Sequence, residues 1–260
     1  MFCQYCSASA IGDAGQMVYN LLMSTFFVVA TPIGNLDDIT YRAVKVLLKA
    51  DVIACEDTRH TQIILNRYEI AGKRLIACHA RNEVNSAQGI VKLLEEGLSV
   101  AYVSDAGTPG ISDPGSKVVR AVRQAGFNVV PIPGPSAVAT LVSAAGYCGK
   151  TFTFEGFLSP KSGRRKSRVT ELLGRNEGFV IYESPYRIEK TLLLIGELAP
   201  TRLITIGREM TKTFEEFLCG TATQLIGMLK NIKGEFAMLV HSDFDEACLE
   251  ADDETGGEEE

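Results

Sequence analysis

Ser99-Val-Ala-Tyr-Val-Ser-Asp-Ala-Gly-Thr-Pro-Gly-Ile-Ser-Asp-Pro-Gly115 is the stretch that decides how the rest of the chain is read. Val100 to Val103 form an apolar run of the kind a buried strand uses, and it stops at Ser104-Asp105. Gly107, Gly110 and Gly115 with Pro109 and Pro114 force a loop there, the glycines through permissive backbone angles and the prolines through fixed ones. A helical pattern follows. It places Asp113 at the N-cap, Pro114 in the first turn, and Val118, Val119, Val122 and Ala125 on one face before Gly126. Strand, tight loop and helix start make the ligand-holding end of an α/β unit.

Charge narrows the ligand. A loop that cradles phosphate avoids carboxylates, yet this one carries Asp105 and Asp113 and has no Lys or Arg. It therefore suits a ribose diol or a cationic group, and a nucleoside bearing positive charge, S-adenosylmethionine, combines both. The plainer alternative is an ordinary strand-to-helix turn in which Asp113 only caps.

Outward from this loop the pattern repeats. Phe26–Ala30, Val52–Cys55, Arg74–His79 and Val129–Pro133 read as strands, separated by helices, one of which is expected to start near Asp37 or Asp38. Strands alternating with helices imply a parallel sheet covered on both faces, with its strand-end loops on one rim. After Ser136–Ala145, read as a helix leading out, and a hinge at Gly146–Lys150, the chain changes character. Strands at 152–158, 179–183, 202–206, 214–218 and 236–240 and helices around Ile188–Leu198 and 221–230 suggest a second α/β domain with a mixed sheet. The expected division is an N-terminal extension over 1–23, an α/β domain over 24–135, a second over 136–242 and a disordered tail over 243–260. Lys161, Arg164, Arg165, Lys166 and Arg168 place five cations within eight residues, read as a mobile basic loop because Ser159-Pro-Lys-Ser-Gly163 precedes most of them.

The 260 residues are 46% hydrophobic, enough for two modest cores. Seven scattered cysteines fit a reduced, cytoplasmic protein better than a disulfide scaffold, and Cys3/Cys6 lack the second pair that a zinc site needs, so no metal is expected. The uncharged run 14–36 is broken by Gln16, Asn20, Pro32, Gly34 and Asn35 and is a poor membrane span. The tail holds ten Asp/Glu and no Lys/Arg, which turns the balance of residues 1–242 to 26 basic against 22 acidic side chains. An overall charge of −6 thus leaves RNA open as a partner.

Pro32-Ile-Gly-Asn-Leu-Asp-Asp-Ile-Thr40, Glu56-Asp-Thr-Arg59, Ser104-Asp-Ala-Gly-Thr-Pro-Gly110, Pro133-Gly-Pro-Ser-Ala137 and Glu183-Ser-Pro185 occur in an order that resembles the tetrapyrrole methylase superfamily. Within it, they resemble the bacterial enzymes that 2′-O-methylate a cytidine ribose in small-subunit ribosomal RNA. The resemblance spans about 24–242. It implies a two-domain α/β fold that binds S-adenosylmethionine, usually as a homodimer, and acts on 16S ribosomal RNA within an assembled subunit. It assigns Pro32, Ile33, Gly34, Asp105, Ala106, Gly107, Thr108, Ser136, Ala137, Tyr182, Met210 and Ala237 to the cofactor. Lys161, Arg164, Arg165, Lys166 and Arg168 are then expected to meet RNA phosphates.

Methyl transfer from a sulfonium disperses positive charge, so it needs in-line positioning and a dry pocket rather than an oxyanion hole. A ribose hydroxyl is a weak nucleophile and needs a base within reach. Glu56, Asp57, His60, His79, Glu155, Glu183 and Glu209 sit at strand ends and are the candidates, with Glu183 favoured. The competing reading of Glu183 is a carboxylate that caps the next helix or pairs with Arg187. Other acceptors (a tetrapyrrole ring, a protein side chain) and a non-catalytic RNA- or nucleoside-binding module remain as alternatives.

Overall fold

A computed structural model describes residues 24–243 except 81, 148, 176 and 231. The N-terminal extension with Cys3 and Cys6, and the acidic tail beyond Asp243, lie outside the described residues. The chain divides into two compact units. One takes the residues up to Pro32 and Leu36–Gly134, the other Ile33–Asn35 and everything from Pro135 on.

In the first unit β1 (Thr25–Val29), β2 (Val52–Cys55), β3 (Arg74–Ala77), β4 (Val100–Val103) and β5 (Asn128–Ile132) form a sheet of order β3-β2-β4-β1-β5. Every pairing is parallel. The strands carry apolar side chains on both faces, as such sheets require. Val52, Ala54, Val100 and Tyr102 pack against α3 (Glu83–Glu95) and α4 (Ser116–Gln124). Ile53, Cys55, Ala101 and Val103 pack against α1 (Tyr41–Lys49) and α2 (Thr58–Arg67).

That split follows from the chain's path. The connections leaving β1 and β2 run toward one edge of the sheet and those leaving β3 and β4 run back toward the other, so right-handed crossovers put their helices on opposite faces. β4 lies between β2 and β1, and its carboxyl end is therefore a topological switch point, where α/β sheets open a crevice.

Two helix starts differ from the sequence reading. Leu36–Asp38 make a single 3-10 turn and α1 begins at Tyr41, because Thr40 Oγ1 accepts from the Ala43 N–H at 3.1 Å. α4 begins at Ser116, with Gly115 rather than Asp113 at the N-cap and Pro114 outside the helix.

In the second unit the elements are α5 (Ala137–Ala144), β6 (Phe152–Phe157), α6 (Ser162–Leu173), β7 (Gly178–Glu183), α7 (Ile188–Leu198), β8 (Leu203–Arg208), β9 (Glu216–Thr221), α8 (Ala222–Met228) and β10 (Phe236–Val240). The sheet order is β6-β7-β10-β8-β9, with only β6–β7 parallel. α6, α7 and α8 cover one face through Val169, Leu172, Ile188, Leu192, Ile195 and Leu225. Val138 and Leu141 of α5 lie on the other face, with Val180, Met210, Ala237 and Leu239. The basic stretch is helix from Ser162, not a loop: Val169 and Leu172 give it an apolar stripe that docks on the sheet. No described helix is long and apolar enough to cross a membrane.

Candidate active site

In the first unit, the loops at the ends of β1 and β4 are stitched together. Thr31 and Gly107 exchange both backbone hydrogen bonds, at 2.9 and 3.0 Å. The buried Thr31 hydroxyl also donates to the Ser104 carbonyl at 3.1 Å. Gly107, at φ 78°, adopts the left-handed backbone that this turn needs. Pro32, Asp105, Ala106, Gly107 and Thr108 are thereby held beside one another at the switch point.

Asp105 faces the loop after β2. One of its oxygens accepts from the Asp57 N–H at 2.9 Å, and the other lies 3.6 Å from His60 Nδ1. Arg59 is folded back on Asp57 in a fork of 2.6 to 3.2 Å, which holds that carboxyl down at about 2. The one arginine of the Glu56–Arg59 motif is thus spent on its neighbour, and the rim stays acidic.

Burial, then repulsion from Asp105, raises the Glu56 carboxyl, with His79 opposing. Burial, then Glu56 and Asp105, pushes Asp113 up to about 6. Burial likewise raises the Cys55 and Cys78 thiols, which keeps them protonated packing groups.

The Asp113 shift has a signed consequence. A carboxyl whose folded pKa is raised favours the folded state below its ordinary value of 3.8, and this contribution is lost as pH climbs through about 6. Asp113→Asn is expected to raise stability at pH 7.5 by about 1 kcal/mol after allowance for solvent screening, and to flatten the decline between pH 4 and pH 6. Melting curves across that range check it, and parallel curves for parent and variant would contradict it.

The loop from β4 into α4 is fixed by a residue that the sequence reading missed. Glu83, buried on the first turn of α3, accepts from the Gly115 N–H at 2.8 Å and the Lys117 N–H at 3.0 Å. It supplies from 32 residues away the cap that Gly115 has no side chain to provide. The only local hint was an acidic residue opening a helix.

The second unit gathers the remaining expected cofactor residues. Ile33, Ala137, Tyr182, Met210 and Ala237 belong to one apolar cluster, and Tyr182 and Ala237 face each other across β7 and β10. Ser136 is the N-cap residue of α5. Gly34 lies so close to the 210–212 loop that a β-carbon would sit 2.5 Å from the Lys212 side chain and 3.0 Å from the Met210 carbonyl. The Asn35 N–H donates to Thr211 Oγ1 at 2.9 Å.

Glu183, the favoured base, is taken up elsewhere. Its side chain is fully buried and accepts from the Ser184 N–H, the Arg187 guanidinium and the Thr191 hydroxyl at 2.6 to 2.8 Å. Both oxygens are engaged at the start of α7, as the competing reading held. Glu155 pairs with Arg168, and Glu209 pairs with Lys212 and accepts from the Glu235 N–H. Of the five candidate carboxylates, Glu56 alone has no ion-pair partner among the described residues.

A family model described as Tetrapyrrole (Corrin/Porphyrin) Methylases matches residues 25–226. The chain belongs to that family. This tetrapyrrole methylase is 46% identical over 226 residues to the "Ribosomal RNA small subunit methyltransferase I" of Neisseria meningitidis serogroup B, covering 85% of this chain and 77% of that protein. A protein of the same name from Borrelia garinii subsp. bavariensis is 45% identical over 218 residues, covering 82% and 97%. The crystal structure of the methyltransferase CobJ matches with a TM-score of 0.65 at 20% identity, covering 85% of this chain and 95% of that one. Uroporphyrin-III-C-methyltransferase from Thermus thermophilus gives 0.58 at 17%, covering 84% and 94%. Similarity at those identities attests the fold alone.

Proposed function

We propose that this protein methylates the 2′ oxygen of a cytidine ribose in 16S ribosomal RNA, with S-adenosylmethionine as methyl donor. The observation that carries the reading is the 40–46% identity, over more than four-fifths of the chain, to proteins named for small-subunit ribosomal RNA methylation.

The donor chemistry of the first unit fits the cofactor. Its strand-end loops offer Glu56, Asp105 and Asp113, which repel one another, and that acidic rim suits a ligand carrying a sulfonium and an ammonium. Bound S-adenosylmethionine supplies a methyl group activated by its positive sulfur. Asp105 and the Gly107 turn would bind and orient it from the first unit. Ile33, Ala137, Tyr182, Met210 and Ala237, which the resemblance assigns to the same cofactor, form one apolar cluster within the second unit. We place proton acceptance from the ribose hydroxyl at Glu56, whose raised pKa brings it toward the range useful to a base. Action as a homodimer on the assembled small subunit, in the cytoplasm, and an RNA role for the start of α6 are further parts of the proposal.

Labelled S-adenosylmethionine with small ribosomal subunits lacking the methyl group, followed by mass mapping of the RNA, tests it. Label is expected on one cytidine ribose. Asp105→Ala is expected to weaken cofactor binding about 10- to 100-fold by calorimetry, the loss of a charged hydrogen-bond acceptor. Label on a base or on protein, or no label, would overturn the acceptor assigned here.

A further inference from the structure

The carboxyl ends of β6, β7 and β8 all lie on one edge of the second sheet, because β6 and β7 are parallel and both β7 and β8 run antiparallel to β10. Two of the loops leaving that edge carry aromatic rings that the core does not claim. Tyr186, in the turn after β7, is 90% exposed, and Phe157, at the end of β6, is 58% exposed. The two loops are tied directly, since the Arg187 guanidinium donates to the Leu158 carbonyl at 3.2 Å. Each aromatic is one residue from that bond. Phe157 packs edge-on against Tyr182 at 5.6 Å between ring centres and so belongs to the α5 face of the sheet, which leaves Tyr186 as the ring at the α6 and α7 starts.

The same loop runs into α6, whose first turns hold the basic stretch. Two of its cations are spent: Lys166 pairs with Glu197, and Arg168 with Glu155 and Glu171. Lys161, Arg164 and Arg165 make no ion pair among the described residues. They crowd the helix end where the backbone dipole disfavours positive charge, and no acidic side chain lies in that turn. An arrangement that costs helix stability and leaves three cations unpaired complements a polyanion.

An exposed ring on a loop tied to the one that opens a helix with unpaired cations fits the combination by which proteins hold single-stranded nucleic acid: bases stack on aromatic faces while phosphates meet Lys and Arg. A double helix keeps its bases stacked on one another and offers no face to Tyr186. We propose that Tyr186 is a stacking platform for an unpaired base of the RNA, and that Lys161, Arg164 and Arg165 hold the flanking phosphates. The inference rests on the RNA reading above and adds that the strand must be open where it docks.

The test uses the full chain and a single-stranded RNA of about 12 nucleotides, within the site sizes such surfaces take, carrying 2-aminopurine as a stacking-sensitive fluorophore. The parent is expected to bind it, to change the 2-aminopurine emission, and to bind a duplex of equal length more weakly. Tyr186→Ala is expected to lose about 5- to 100-fold in affinity and most of the emission change, with the salt dependence unaltered because stacking releases no counterions. Tyr186→Phe should restore both. Neutralising Lys161, Arg164 and Arg165 together should instead flatten the salt dependence by up to about 2 in log–log slope and leave the emission change of bound RNA intact. An unaffected Tyr186→Ala variant, or a duplex bound as tightly as the single strand, would overturn the platform. A parent that methylates small subunits but ignores the oligonucleotide would overturn it too while the methyltransferase reading stands. A parent that does neither would remove both.

Discussion

Glu56→Gln lowers turnover about 10²- to 10⁴-fold, the usual worth of a positioned base, and changes S-adenosylmethionine affinity less than about tenfold. Glutamine keeps the shape of the side chain but cannot take a proton. The site gives this carboxylate its standing. Burial raises it first and Asp105 adds to the shift, while no ion pair among the described residues claims it. The rate of the parent should therefore rise with pH through an acidic limb lying above the ordinary 4.5 of a glutamate, and that limb should be gone from whatever activity Glu56→Gln retains. Turnover within about threefold of the parent would move the base elsewhere. His79 is then the next group to test, since it is a strand-end base candidate that couples to Glu56.

Gly115→Ala is expected to lower the melting temperature by roughly 5–15 °C, from two penalties at one atom. At φ 134° the backbone lies where a side chain is strained, and a β-carbon built there would stand 2.7 Å from Cε1 of Tyr102. Tyr102 cannot step aside, being fully buried and stacked on Phe26 with ring centres 6.1 Å apart. Combining Gly115→Ala with Tyr102→Ala separates the terms: the double variant escapes the contact penalty and keeps the backbone one, so the effects are not additive. A melting temperature within about a degree of the parent would show that the loop yields easily and that Glu83 does not hold it.

The apolar strand runs were legible because a sheet buried on both faces writes itself as uninterrupted Val, Ile, Ala and Phe, and all five strands of the first unit lie where those runs do. Two helix starts were misread, one with a local cap and one without. Asp37-Asp38 looked like the start of α1, yet Thr40 caps it from the adjacent residue, and Asp113-Pro114 looked like the start of α4, which takes its cap from Glu83 across the fold. The basic stretch illustrates a different limit. Ser159–Gly163 carries loop chemistry, but Val169 and Leu172 decide the segment by docking on the sheet, and the partners of Lys166 and Arg168 come from other elements. Glu183 shows the same for function. Its position at a strand end was readable, while its engagement with Ser184, Arg187 and Thr191 depends on how α7 leaves the strand.

Ile33-Gly34-Asn35 counts with the second unit although both its neighbours in the chain count with the first. No single cut can then yield two self-sufficient halves. A fragment ending at Gly134 would carry away a tripeptide whose seat, the 210–212 loop, is on the other piece, and that piece would be left with an empty slot over Met210. During synthesis these three residues are made about 176 residues ahead of the loop on which they seat, so their contacts form only after most of the chain exists.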